Sequence, residues 1–195
     1  MKSERGATMV EMIGVIGILG VLAASSWSLI GSGWKRYRVS QAVSQLQDLQ
    51  KGINRFYAAT GNYNELLTND AEKKVIENNI APKEMIVAGR TLRHAFGGNV
   101  EVRALQYTDT GALGTDSESF TITFKDLDKP QCLEMATISW LQKDTVDLLK
   151  ITIESDIYTW PVVSPAEGDK VLPINIVKAE ASCNQDKSDI IWEFR

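Results

Sequence analysis

Hydrophobic and polar positions divide the chain into three regimes. From Ala7 to Ile30 nearly every position is apolar (ATMVEMIGVIGILGVLAASSWSLI), and the one carboxylate is Glu11. That is about the length a bilayer-spanning helix requires. A charge inside such a segment is costly in lipid and normally has a partner and a function. After Trp34 the pattern becomes one-sided: Val39, Val43, Leu46, Leu49, Ile53 and Phe56, with Tyr57 beside it, recur in steps of three and four. This spacing predicts an amphipathic helix with one covered face. Gln41, Gln45, Gln47, Asp48, Lys51 and Asn54 fill the other face, and Gly61-Asn62 supplies a carboxy-terminal cap. No proline occurs before Pro82. The two patterns therefore predict one helix from Ala7 to about Thr60, roughly 80 Å long.

The third regime mixes short strands with turns. Asn62 to Gly89 reads as a connecting region with a helical piece at Ala71–Asn78 and a turn at Pro82. Val100–Leu105 alternates as a strand does, and Thr108–Ser119 reads as a turn-rich hairpin connection. Phe120–Phe124 is a second strand, with Phe120, Ile122 and Phe124 on one face. Asp128-Lys129-Pro130 opens a helix, with Cys132, Met135, Ala136 and Ser139/Trp140 at helical spacing. Leu148–Ile153 is a third strand, Pro173–Ser182 a helix or turn ending at Cys183, and Ile190–Phe194 a final strand. The expected fold is α+β: a long amino-terminal helix, hydrophobic then amphipathic, packed on an antiparallel sheet.

Charge and composition narrow the function. The chain has 195 residues, 44% apolar and 24% charged, with a formal net charge of −4. That balance argues against nucleic acid, since phosphate binding needs a concentrated basic face; Lys35, Arg36 and Arg38 form the only tight basic group. The sole histidine, His94, has no Cys, His or carboxylate cluster beside it in sequence and reads as structural or exposed. No Ser/His/Asp set, phosphate-cradling glycine loop or metal-ligand cluster is found, so no catalytic residue, metal or cofactor is expected. The acids of the Thr108–Ser119 turn fit no calcium loop. The two cysteines, Cys132 and Cys183, both follow the apolar segment. Export of that part makes one disulfide the expected state; two buried thiols are the alternative for a cytosolic protein.

The first six residues, MKSERG, place Lys2 and Arg5 ahead of Gly6 and favour a cytoplasmic amino terminus, while Trp34 and Tyr37 suit the outer membrane–water boundary. Ala23-Ala24-Ser25-Ser26 would serve ordinary signal peptidase, but the helical pattern runs straight past that point. The basic leader, Gly6, Ala7-Thr8-Met9-Val10, Glu11 and Met12–Leu19 together resemble the amino terminus of a type IV prepilin. That family carries a glycine before the cleavage point and a glutamate as the fifth mature residue; Ala7 stands where many members have Phe, Met or Leu. Phe96-Gly97-Gly98 before the first strand, and a helix bearing Cys132 followed by Cys183 before the last strand, resemble the type IVb class, such as bundle-forming or conjugative thin-pilus pilins.

The resemblance implies a leader at 1–6, a transmembrane and polymerisation helix at 7–30, its amphipathic half at 31–61, and a globular head at 62–195. It also implies a disulfide joining Cys132 and Cys183 and enclosing the variable region 132–183. Prepilin peptidase would cut between Gly6 and Ala7 and methylate Ala7, and Glu11 would pair with the Ala7 amine of a neighbour. The subunit would wait in the inner membrane, head outside the cytoplasm, before assembly machinery adds it to an extracellular homopolymer. A minor pilin or type II secretion pseudopilin shares this architecture. A membrane-anchored binding domain that never polymerises is the alternative of a different class.

Overall fold

The computed structural model describes residues 9–106, 117–138, 148–160 and 169–195, and for 22–32 the helical backbone alone. Gly6, Ala7, most of the Thr108–Ser119 connection, and Ser139/Trp140 lie outside the described residues. The chain divides into two compact units, Met1–Arg38 and Val39–Arg195. One helix, α1 (Met9–Tyr57), contributes residues to both.

In the first unit α1 buries nothing that is described. In the second unit its buried residues are Ala42, Val43, Gln45, Leu46, Leu49, Gln50, Ile53 and Tyr57. At 100° per residue they span an arc of about 160°, wider than the single stripe that periodicity suggests. Gln45, expected on the polar face, therefore sits at the arc's edge and is only 2% exposed. Phe56, expected on the covered face, is 43% exposed, and Tyr57 is buried in its place. The reason is local. A Cβ added to Gly52 would lie 2.7 Å from the Ile80 carbonyl oxygen, so the chain after α2 (Ala71–Glu77) closes on the helix there. Phe56, one turn further on, lines the open groove beside residues 78–80, whereas Tyr57 packs edge to face against Tyr63 with ring centroids 5.8 Å apart. Helix α1 ends earlier than expected, and Gly61 follows at φ +68° with its N–H on the Tyr57 carbonyl at 3.1 Å.

Among the described residues seven strands form one antiparallel sheet: β1 (Ile86–Val87), β2 (Thr91–Arg93), β3 (Asn99–Leu105), β4 (Ser119–Asp128), β5 (Leu148–Ile153), β6 (Asp156–Thr159) and β7 (Lys187–Phe194). Their order is β1-β2-β3-β4-β7-β5-β6, so the last strand in sequence lies between β4 and β5. Alternation puts Val100, Val102, Phe120, Ile122, Phe124, Ile151, Ile153, Ile190, Trp192 and Phe194 into the core with the α1 residues. Strands β1, β2 and β6 were not expected from sequence, being two to four residues long. Strand β4 runs four residues past Phe124 because its register shifts between Phe124 and Leu127. Asp126 takes up the irregularity at φ +60°, its N–H held by Asp189 Oδ1 at 3.0 Å.

Helix α3 (Lys129–Thr137) begins as Asp128-Lys129-Pro130 predicts. Asp128 and Gln131 form a reciprocal capping box, and Pro130 lies in the first turn. Helix α4 (Ile176–Ser182) is capped by Asn175, whose side chain accepts from the Lys178 N–H at 2.9 Å. Cys132 of α3 and Cys183, just after α4, form a disulfide with Cα atoms 5.9 Å apart.

Candidate assembly site

Among the described residues the sequence-predicted site residue of the first unit is Glu11, in the first turn of α1. Met9, Val10, Met12, Ile13, Val15, Ile16, Ile18, Leu19 and Val21 surround it, all between 53% and 83% exposed. A Cβ at Gly14, Gly17 or Gly20 would meet nothing within 4 Å. Nine large apolar side chains on one open helix make a contiguous patch of the kind that marks a partner or a membrane. Each gains about 1.5–3 kcal/mol when fully covered. Among the described residues no helix is long and apolar enough to cross a membrane.

In the second unit the disulfide ties α3 to the end of α4, and a polar network ties α4 to β6. The buried Tyr158 hydroxyl meets Ser182 Oγ at 2.7 Å and the Lys178 carbonyl at 3.2 Å. Ser182 donates in turn to Asp156, which pairs with Lys170. The Lys170 ammonium, and then the Ser182 hydroxyl, hold the Asp156 carboxyl below the usual carboxylate range. Within the same disulfide-bounded segment, Ile157, Ile176 and Val177 point to solvent. Sequence patterning did not expose this network, because its members are scattered polar residues with no periodicity.

His94 proves to be a buried structural residue. Its ring stacks on Phe124 at 4.8 Å, Nε2 donates to the Lys125 carbonyl at 2.8 Å, and Nδ1 accepts from the Phe96 N–H at 3.3 Å. Both nitrogens are thereby committed to one neutral tautomer. Burial pushes its pKa down, against the Lys125 carbonyl and Asp126, which favour the charged form. The Phe96-Gly97-Gly98 step has its explanation here. Gly97 adopts φ +98°, and a side chain at Gly98 would collide with the His94 ring and the Lys125 carbonyl.

Among the described residues no group of three His, Cys, Asp or Glu side chains could hold a metal. A groove of about 600 Å³ beside α1 is lined by Asp48, Lys51, Arg55, Phe56 and Asn79, and carries no catalytic grouping.

The family model described as PilS N terminal matches residues 36–194. The chain belongs to the PilS family. The pilin has the fold of two solved structures in particular. One is TcpA, a type IV pilin from Vibrio cholerae El Tor biotype, at TM-score 0.55 and 16% identity, covering 82% of this chain and 99% of that one. The other is a type IV b pilin from Salmonella typhi, at TM-score 0.53 and 18% identity, covering 78% and 96%. No curated protein sequence matches. Family and fold together make the chain a structural protein of the pilin kind and not an enzyme.

Proposed function

We propose that the pilin is the structural subunit of a type IVb pilus, cut after Gly6 and polymerised through its amino-terminal helix. The observation that carries this reading is the open apolar arm with one carboxylate in it. Among the described residues, the large apolar side chains from Met9 to Val21 are exposed, and Glu11 sits among them. A lipid bilayer and a bundle of like helices both satisfy the apolar residues. Only the bundle also supplies a counter-charge.

Prepilin peptidase acts at Gly6–Ala7 on the cytoplasmic face and leaves a cationic amine on Ala7. The inner membrane holds the segment 7–30 until the assembly machinery extracts it, and the helix then exchanges lipid for neighbouring helices. Either charge alone is heavily penalised in an apolar filament core, whereas a pair attracts strongly enough to set the register between subunits. Glu11 pairs with the Ala7 amine of the next subunit. The surface of the 132–183 segment makes the lateral and adhesive contacts.

Two measurements test this. The intact mass of the mature chain should correspond to a methylated terminus at Ala7. A terminus at Met1, or after Ala24, would instead mean an anchored binding domain. Glu11→Ala should leave the subunit in the membrane and abolish or cripple filaments, and a normal filament yield from that variant would remove the pairing mechanism. Abundance in purified filaments separates a major subunit from a minor pilin.

A further inference from the structure

The first unit ends on a feature that polymerisation through Glu11 does not use. Trp34, Lys35, Arg36, Tyr37 and Arg38 are consecutive on α1, and all five are exposed. Trp34 and Tyr37 touch edge to face with ring centroids 6.3 Å apart. Among the described residues none of Lys35, Arg36 and Arg38 forms an ion pair.

At 100° per residue these five positions point to every side of the helix within about 6 Å of axial rise. The five side chains together therefore form a collar, with the basic ones on one arc of about 160° and the two aromatic rings on the remainder. A protein groove would engage one side of such a ring, whereas a lipid headgroup layer surrounds all of it. From Met12 to Ile30 the helix rises about 27 Å, close to the roughly 30 Å hydrocarbon thickness of a bilayer. From Glu11 to Lys35 it rises about 36 Å, which puts the two charged ends in opposite headgroup layers. Aromatic rings and long basic side chains are the residues that settle at that depth.

We infer that Trp34, Lys35, Arg36, Tyr37 and Arg38 form an anionic-phospholipid-binding collar that fixes the depth of the unassembled pilin in the outer leaflet of its membrane. The inference rests on the reading of 7–30 as the membrane segment. Charge distribution supports it. Residues 39–195 carry 16 basic and 23 acidic residues, so the remainder of the pilin is repelled by an anionic surface. The basic groups outside that remainder are Lys2 and Arg5 at the amino terminus and Lys35, Arg36 and Arg38 here, and substituting the latter three isolates their share.

The test uses the full chain, diluted from detergent into vesicles of phosphatidylcholine alone or with roughly 30% phosphatidylglycerol, and scored by flotation. The anionic vesicles should bind about tenfold more tightly at low salt, and the gain should vanish near 0.5 M salt. The triple variant Lys35→Gln/Arg36→Gln/Arg38→Gln should bind phosphatidylcholine as before and anionic vesicles less well than phosphatidylcholine. Equal binding of the unaltered chain to both vesicles overturns the collar and leaves the membrane segment standing. Binding to neither removes both. If the variant keeps the anionic gain but loses self-association in detergent, the collar docks on the acidic surface of a second copy, and the lipid assignment is overturned.

Discussion

At the scale of single residues, the buried ring of His94 has a clear pH consequence. Its folded pKa lies below that of the unfolded chain, so the unfolded state takes up the proton first as pH falls through about 6.5. The stability that the neutral ring contributes is complete above that pH and declines on acidification, by at most about 1.4 kcal/mol per pH unit for one proton. Denaturant unfolding between neutral and mildly acidic pH should show this loss, and His94→Gln should flatten it. Tyr57 offers the opposite end of the scale. Burial first, and Glu65 next to its hydroxyl second, raise its pKa to about 12. A spectrophotometric titration should show a component that ionises above the ordinary tyrosine range and is lost in Tyr57→Phe. Gly98→Ala should destabilise by about 1–3 kcal/mol, because the added methyl meets the His94 ring and a backbone carbonyl that cannot swing away.

At the scale of elements, the 132–183 segment is held by two devices. The disulfide closes a sequence separation of 51 residues, worth about 4 kcal/mol in the chain-entropy account. The Tyr158–Ser182–Asp156 network joins β6 to α4 independently of it. Cys132→Ser/Cys183→Ser should therefore lower unfolding free energy by about 4 kcal/mol while β5, β6 and β7 still pair, seen as retained amide protection in those strands. Both cysteines and the start of α3 at Asp128-Lys129-Pro130 were legible in sequence, since a proline acts within the first turn. The network was not, because Asp156 and Ser182 are 26 residues apart and meet only once β6 and α4 are in place.

At the scale of the whole molecule, the sheet order decides what can be removed. Strand β7 pairs on both sides, with β4 and with β5. Deleting Lys187 to Arg195 should therefore split the sheet and abolish folding, measured as loss of cooperative thermal unfolding. Removing residues 1–38 should do the reverse. The second unit, Val39–Arg195, contains the buried core and should remain folded and monodisperse without detergent. Aggregation of that truncated chain would mean that its core needs the arm.

What the sequence determined by itself is whatever depends on neighbours along the chain. An all-round apolar run, a single carboxylate within it, the change to one-sided periodicity after Trp34 and the helix start at Asp128 are all local patterns, and they carried the fold class and the pilin resemblance. The tertiary structure alone decided which of Phe56 and Tyr57 is covered, why Gly98 has no side chain, and where β7 lies. Those outcomes depend on the approach of Ile80 to Gly52, of His94 to Gly98 and of Lys187–Phe194 to strands far away in sequence. Contacts of that kind leave no period to read. The open arm around Glu11 belongs to both levels: its apolarity is written in the sequence, and the structure adds that no described residue of its own chain covers it.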